Sequence, residues 1–422
     1  MTRPPNLLVL GLTVLASTAA CGGWEVAQEQ SPGSAGQGGQ QDLAGEGGGA
    51  SSENSEGEGG AASSGCPGAF DPDLAEERAA ARGFRVVANR IEDSEGRTVT
   101  LRGVNRSGSE YQCTKGSGFF DGAANEEAVR AMARWKMNAV RVPLNETCWL
   151  AGGGLLQGLS GDNYKQAVLT YVAFLERYGL TPILDLHWAA PGTVVAGRLW
   201  PMPNADHSVE FWTDVARTFL DDDAVVFEPY NEPYPDGNSR SEAAWECWRD
   251  GCVECSDWGC SQTYEAVGMQ ALVDAIRSTG SEHLILLGGV QYSNDLSGWL
   301  DHRPEDPEDN LAPAWHVYEY NACSDAGCWD SVPLQLSDQV PIVVTELGQS
   351  DCQADFVAEL IGWLEQRSLG YLAWSWNAFG SCISSTRENP GNAYSLITSY
   401  TCPMPNGGFA DTFYQALEDH AP

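Results

Sequence analysis

The chain has 422 residues, with 58 acidic side chains against 23 basic ones, a net charge of −35 and thirteen cysteines. That excess of negative charge repels nucleic acid, anionic membrane surfaces and acidic polysaccharides, and leaves a neutral glycan open as a partner. So many cysteines argue for an oxidising compartment in which they pair.

Residues 1–20 carry a short basic start, the apolar run Leu7–Ala16 and small residues ahead of Cys21, the layout of a secretory signal. The apolar run is too short to span a bilayer comfortably. Thr18-Ala19-Ala20-Cys21 is similar to a bacterial lipoprotein cleavage site, although such sites usually carry Leu where Thr18 stands. One expectation is therefore lipid attachment at Cys21; the other is ordinary secretion with Cys21 removed or unpaired. Both place the protein outside the bacterial cytoplasm, secreted or at the cell surface.

Residues 21–66 are almost wholly Gly, Ser, Ala, Gln and Glu, and Trp24 is their only aromatic. Such a segment buries too little apolar surface to offset its ordering entropy and is expected to be a disordered tether. It would hold the domain 67–422 clear of a membrane. Removing the seven tether acids and Arg3 from the net charge leaves −29 on that domain.

From residue 84 a strand–helix alternation sets in. Phe84–Ala88 and Thr98–Leu101 flank Asp93-Ser94-Glu95-Gly96, a hairpin signal. Buried strands are expected at Leu101–Asn105, Ala139–Leu144, Thr181–His187, Val225–Tyr230, Leu284–Val290, Ala314–Tyr318, Ile342–Glu346 and Tyr371–Trp376. Apolar positions at helical spacing predict helices over Glu126–Met137, Tyr164–Tyr178, His207–Leu220, Tyr264–Ser278, Phe356–Gln366 and Thr412–Asp419. Eight parallel strands interleaved with helices favour a single α/β domain, a (β/α)8 TIM barrel with an N-terminal β-hairpin. The alternative, an open doubly wound sheet, calls for a Gly-rich turn after the first strand, and Gly103–Gly108 is no such fingerprint.

In a barrel, polar residues at the C-terminal strand ends gather on one face. Those ends read Asn105, Arg141, His187, Asn231 with Glu232, His316 with Tyr318, Glu346, and Trp374 with Trp376. Two glutamates at the ends of apolar runs are costly to bury unless chemistry needs them, and glycosidic hydrolysis needs such a pair.

The stretches Leu101–Asn105, Asn138–Leu144, Leu184–Trp188, Tyr230–Pro233, Trp315–Tyr318, Val344–Gly348 and Trp374–Asn377 together resemble glycoside hydrolase family 5, the retaining, cellulase-like barrel enzymes. The resemblance covers about residues 84–420. It implies a retaining glycosidase with Glu232 as acid/base and Glu346 as nucleophile, and it requires no metal or organic cofactor. Residue chemistry points the same way. Arg141 and the Tyr318 hydroxyl would hold Glu346 ionised. Glu232, near His316, has no guanidinium in its motif and would keep its proton. Asn231 is placed for the sugar 2-hydroxyl. Asn105 and His187 are expected to support the site, and Trp188, Trp374 or Trp376 to offer flat faces for sugar stacking.

The expected substrate is a β-linked neutral polysaccharide, foremost a β-1,4-glucan cut internally. Mannan, β-1,3- or mixed-linkage glucan and exo action are alternatives on the same scaffold. A non-catalytic carbohydrate-binding surface lipoprotein is the rival from another class. The cysteine-rich loop 234–262 is expected to form a subsite wall. Cys247, Cys252, Cys255 and Cys260 read as disulfide cysteines rather than a zinc knuckle. Cys113 with Cys148, and Cys323 with Cys328, are the expected loop staples. The acidic turn Asp301–Asp309 reads as a solvated loop, with calcium as its alternative. No accessory module is evident, and a monomer is expected.

Overall fold

The computed structural model describes residues 66–152, 158–256, 260–380, 382 and 394–421. The expected signal, Cys21 and most of the tether lie outside the described residues. Two short strands, β1 (Arg85–Val87) and β2 (Arg90–Glu92), pair antiparallel. Eight parallel strands then close a barrel in the order β3 (Arg102–Asn105), β4 (Ala139–Asn145), β5 (Thr181–Trp188), β6 (Val226–Glu228), β9 (Ile285–Gly288), β10 (Leu311–Tyr318), β11 (Val343–Gly348) and β12 (Gly370–Ala373). Between the fourth and fifth barrel strands an antiparallel hairpin intervenes, β7 (Gly251–Cys255) with β8 (Thr263–Val267). This is the (β/α)8 barrel expected from the strand count.

Alternation along the strands sorts residues between two cores. Ala139, Ile183, Val226, Ala314, Val343 and Leu372 fill the barrel interior. Val140, Val142, Leu144, Leu184 and Phe227 point outward into the layer shared with the helices. Because side chains alternate at period 2, Arg141 and Asp185 share the inward face of Ala139 and Ile183, higher up the barrel. The hairpin contributes Phe84 and Ile91 to the inner core and so belongs to the barrel's lower end.

The helices follow their local signals. Asn125 caps Glu126–Ala133, its side chain accepting from the Ala128 amide, with two acids in the first turn. Further helices run over Asp162–Arg177, Ser208–Thr218, Met269–Arg277, Asp355–Glu365 and Phe409–Asp419.

Three expectations are corrected. The β1–β2 hairpin turns at Ala88-Asn89, not at Asp93–Gly96. The latter is a second turn, closed by Asp93 Oδ1 accepting from the Glu95 and Arg97 amides, and it brings Thr98 beside Glu92. The helix expected to start at Tyr264 starts at Met269, because Thr263–Val267 pairs with β7; the alternation of Tyr264 and Ala266 inward outweighs local helix propensity. Within the acidic turn, Asp306 is not solvated. It is buried against Arg277 at 2.7 Å and accepts from the Asn310 amide, so a guanidinium holds its charge.

All twelve cysteines from Cys66 onward are paired. Cys113–Cys148 and Cys323–Cys328 pair as expected. Cys247–Cys252 and Cys255–Cys260 are disulfides within the strand-four insertion, and Cys66–Cys402 and Cys352–Cys382 complete the set.

Candidate active site

Arg141 organises the site. Its guanidinium is fully buried and reaches five residues on four other strands or their ends. Nη1 donates to Glu346 Oε1 at 2.7 Å and to Asn105 Oδ1 at 3.0 Å. Nε donates to Glu228 Oε2 at 2.7 Å, and Nη2 to Asn231 Oδ1 at 2.7 Å. Nη2 also lies 3.1 Å from Asp185 Oδ2. One cation thus faces three carboxylates, and its planar fork sets their positions.

Both oxygens of Glu346 are engaged, since the Tyr318 hydroxyl donates to Oε2 at 2.7 Å. Glu346 reaches the interior through an irregularity. Val344 pairs with Trp315 and Glu346 with His316, while Thr345 is skipped; on the other side Val344 pairs with Tyr371 and Leu347 with Ala373. The extra residue lets Thr345 and Glu346 both face inward, the known effect of a bulge at a barrel rim.

Glu232 takes its contact from another quarter. His316 Nδ1 lies 2.9 Å from Glu232 Oε1 and 3.6 Å from Glu346 Oε2. Thr345 Oγ1 donates to Glu228 Oε1 at 3.0 Å and therefore accepts from His316 Nε2 at 3.1 Å. Carboxylate oxygens of Glu232 and Glu346 lie within 4.8 Å of each other, with the His316 ring nitrogen in the same cluster. The Glu232 side chain is 21% exposed and that of Glu346 5%, so Glu232 is the one open to solvent.

The surroundings drive the two glutamates apart. Burial pushes Glu346 up, but the charges of His316 and Arg141 and the Tyr318 hydroxyl outweigh it, leaving the carboxyl below its ordinary value. Burial raises Glu232, the contact with His316 pulls it back, and the Glu346 charge raises it again; it ends above its ordinary value. Burial lowers His316, yet Glu346, Glu228 and Glu232 together carry it up to about 10. The two glutamates are thus shifted in opposite directions, with His316, carried up to about 10, in contact with Glu232.

Among the other expected residues, Asn105 touches this cluster, His187 reaches it through Asp185, and Trp374 through His187. Asn105 is buried and ties Arg141 to strand β11, its Nδ2 donating to the Thr345 carbonyl at 2.8 Å. His187 Nδ1 meets Asp185 Oδ2 at 2.6 Å, and the His187 ring stacks on Trp374, centroids 5.3 Å apart and planes 7° apart. Trp374 and Trp188 are half-buried, Trp188 lying 6.3 Å from the Tyr111 ring. Trp376, by contrast, is wholly buried, edge-on to Trp135 at 5.0 Å, and belongs to the hydrophobic core rather than to a sugar-facing surface.

Sequence reasoning missed Asp185, Glu228 and Thr345. A signal existed for the first two: Asp185 stands two residues before His187, and Glu228 two after Val226, so alternation sends both inward. Thr345 had none, because only the bulge makes it face His316.

Residues 93–380 match the model of the Cellulase family, glycosyl hydrolase family 5. A mannan endo-1,4-beta-mannosidase of Salipaludibacillus agaradhaerens is 22% identical over 303 residues, covering 70% of this chain and 81% of that one. The cellulase CelDZ1 of Thermoanaerobacterium sp is 22% identical over 324 residues, covering 71% and 72%. The beta-glucanase SdGluc5_26A from Saccharophagus degradans superposes with a TM-score of 0.58 at 18% identity, over 84% of this chain and 98% of that one. A beta-mannanase from Streptomyces thermolilacinus gives 0.54 at 17% identity, over 81% and 98%. The family match spans most of the barrel, and the chain belongs to glycosyl hydrolase family 5, as an O-glycosyl hydrolase.

Proposed function

We propose that the enzyme cleaves a β-1,4-linked neutral polysaccharide internally by double displacement, with glucan as the first substrate to test. Glu346 serves as nucleophile and Glu232 as acid/base. The observation that carries this reading is the spacing of the two carboxylates, within 4.8 Å, joined to the fact that the guanidinium holds only one of them. Retaining glycosidases need a separation of about 5–5.5 Å, because the second carboxylate must itself reach the sugar.

In the first half-reaction a Glu346 oxygen bonds to the anomeric carbon as the glycosidic C–O bond breaks. The proton held by Glu232 with His316 passes to the leaving oxygen. In the second, water gives a proton to Glu232 and attacks the same carbon, and Glu346 leaves as a carboxylate. Arg141 occupies the Asn231 oxygen, which turns the Asn231 amide nitrogen toward the sugar 2-hydroxyl. Trp374, backed by His187, offers its face to a sugar ring.

Mannan is the second reading, favoured by the mannan endo-1,4-beta-mannosidase names carried by relatives from Salipaludibacillus agaradhaerens and Streptomyces lividans. Purified enzyme should be assayed on carboxymethylcellulose, mannan, laminarin and aryl glycosides. Reducing ends from the first support glucan, and from mannan alone the second reading. Release from none overturns the hydrolase reading in favour of a binding protein.

Export is supported by residues 1–20 and by the pairing of all twelve later cysteines. Lipidation at Cys21, with 21–66 as tether, predicts palmitate labelling that Cys21→Ser abolishes. Among the described residues no helix is long and apolar enough to cross a membrane. A monomer is expected by sedimentation.

A further inference from the structure

Thr345 carries a hydroxyl where packing alone asks only for a methyl. It follows Val343-Val344 in a strand buried along its whole length, and valine differs from it by that one group. A buried hydroxyl is costly unless its hydrogen bonds are made. Thr345 makes two, and they have a direction. Its oxygen lies 3.0 Å from Glu228 Oε1 and 3.1 Å from His316 Nε2. Glu228 takes Arg141 on both oxygens, at 2.7 and 3.2 Å. Burial raises the Glu228 carboxyl, but the Arg141 charge outweighs burial and leaves it below its ordinary value, so it can only accept. The single Thr345 proton therefore goes to Glu228. What remains for His316 is a lone pair, and Nε2 must bring the hydrogen. Nε2 lies 3.9 Å from Glu228 itself, too far for a direct bond, so the hydroxyl is the link.

Fixing one nitrogen of an imidazole decides the other. With Nε2–H held, a neutral ring leaves Nδ1 bare, and a charged ring adds its second proton there. Nδ1 lies 2.9 Å from Glu232 Oε1 and 3.6 Å from Glu346 Oε2. A half-turn of the ring would set carbon against both Thr345 and Glu232, so the same bond fixes its orientation. The backbone is held separately, Asn294 Nδ2 donating to the His316 carbonyl at 2.8 Å. His316, Thr345 and Glu228 are all wholly buried. The titratable groups facing the ring are Glu228 and Glu232 from the end of β6 and Glu346 from β11. Arg141 from β4 and the Tyr318 hydroxyl from β10 stand behind them.

We propose that Thr345 is a positioning residue for the acid: it keeps a hydrogen on His316 Nε2 in both charge states, so that the ring gains and loses its proton at Nδ1 alone, opposite Glu232. The inference rests on Glu232 being the acid. Thr345 acts through the ring. A proton leaving Nδ1 has Glu232 Oε1 to receive it, and one leaving Oε1 can return to Nδ1. Neither transfer requires the ring to turn or its hydrogens to change nitrogens.

NMR of the ring nitrogens, on enzyme carrying isotope-labelled histidine, reads both sites directly, with the His316 signals assigned by His316→Gln. As pH rises through the value of about 10 to which this ring is carried, Nε2 should keep its hydrogen and Nδ1 should lose it. Loss from Nε2 instead overturns the proposal. In Thr345→Val the Nε2 hydrogen has no acceptor. The neutral ring should then carry its hydrogen on Nδ1, and it should titrate about one pH unit or more lower, the worth of one hydrogen bond to a charged group. Thr345→Ser, which keeps the hydroxyl, should match the unaltered enzyme in both respects, and a serine variant that behaves like valine counts against the link.

Kinetics add a readout that packing does not move. In Thr345→Val, kcat/KM on the polysaccharide should fall roughly tenfold or more, while the dinitrophenolate burst, which needs no proton, changes far less. Thr345→Ser should hold both near their unaltered values. Equal losses on the two substrates, or none on either, overturn the positioning role. Should valine unfold the protein, the spectra of the unaltered enzyme and of Thr345→Ser still decide. Equal losses in Glu232→Ala would remove the acid reading by itself, because the spectra report which nitrogen keeps its hydrogen whatever Glu232 does.

Discussion

Thr345 and Glu346 are neighbours in the chain, yet both side chains enter the barrel, Thr345 to meet Glu228 at 3.0 Å and Glu346 to meet Arg141 at 2.7 Å. A regular strand would have sent one of them outward into the helix layer. The one-residue register shift in β11 prevents this. It lets one strand supply both the proposed nucleophile and the hydroxyl that orients His316 toward the proposed acid. The two halves of the chemistry are thereby built on adjacent residues.

Glu346→Ala should lose roughly 10⁴-fold or more in kcat, since the covalent route disappears. The truncation leaves a space beside the Arg141 guanidinium that a small anion fits. Added azide should restore turnover of an activated aryl glycoside, giving a glycosyl azide of inverted configuration. Retention of most activity by Glu346→Ala would falsify the assignment.

Glu232→Ala should separate substrates by their leaving groups. Polysaccharide needs the proton, and its cleavage should fall by roughly 10²–10⁴-fold. Dinitrophenyl glycosides, whose leaving group departs as an anion, should lose far less in the first half-reaction. Pre-steady-state bursts of dinitrophenolate resolve that step. Equal losses on both substrates would remove Glu232 from the role of acid.

The pH profile of kcat/KM should be bell-shaped, with limbs set by opposite shifts. Glu346 must be ionised, and His316 and Arg141 hold it below the ordinary carboxylate value against its burial; activity is lost as pH falls through that lowered value. Glu232 must hold its proton, and burial and the Glu346 charge raise it; activity is lost as pH rises through that raised value. In Glu232→Gln, assayed on an activated glycoside, the acid limb should remain and the alkaline limb flatten. An alkaline limb that persists unchanged points to another group.

The two tryptophans beyond β12 should fail in different ways. Trp376 is wholly buried against Trp135, so Trp376→Ala should cost about 3–5 kcal/mol of stability by urea unfolding. Trp374 stacks on His187 with part of its surface open, so Trp374→Ala should act mainly on catalysis, raising KM on oligosaccharides. Similar effects from both substitutions would put Trp374 in the core as well.

Glu146 offers a test of stability against pH. It is buried, and burial pushes its carboxyl up to about 7 even though Ser208, Asn204 and the Ala190 amide donate to it. A folded-state value raised above the unfolded one means that the folded protein binds more protons between the two. The contribution is complete below about 4.5 and is lost as pH rises to about 7. On this account the enzyme should lose on the order of 3 kcal/mol between pH 4.5 and 7.5 through this group. Glu146→Gln should lack that component of the slope in urea titrations at the two pH values.

The alternation of apolar runs and helical periods determined the barrel, because a parallel strand buried on both faces and an amphipathic helix each leave a pattern that local chemistry cannot hide. The same reading placed Arg141, Glu232, His316, Tyr318 and Glu346 on one rim, since period 2 and strand ends are properties of the chain alone. The places where it failed needed contacts between distant segments. The Thr263–Val267 strand exists because β7 pairs with it, and Trp376 lies in the core because Trp135 comes to meet it. Asp185 and Glu228 became part of the site only when the closed barrel set both against one guanidinium. Whether a charged group within an apolar run is a defect or a ligand of Arg141 is an electrostatic question, and its answer depends on distances that only tertiary closure creates.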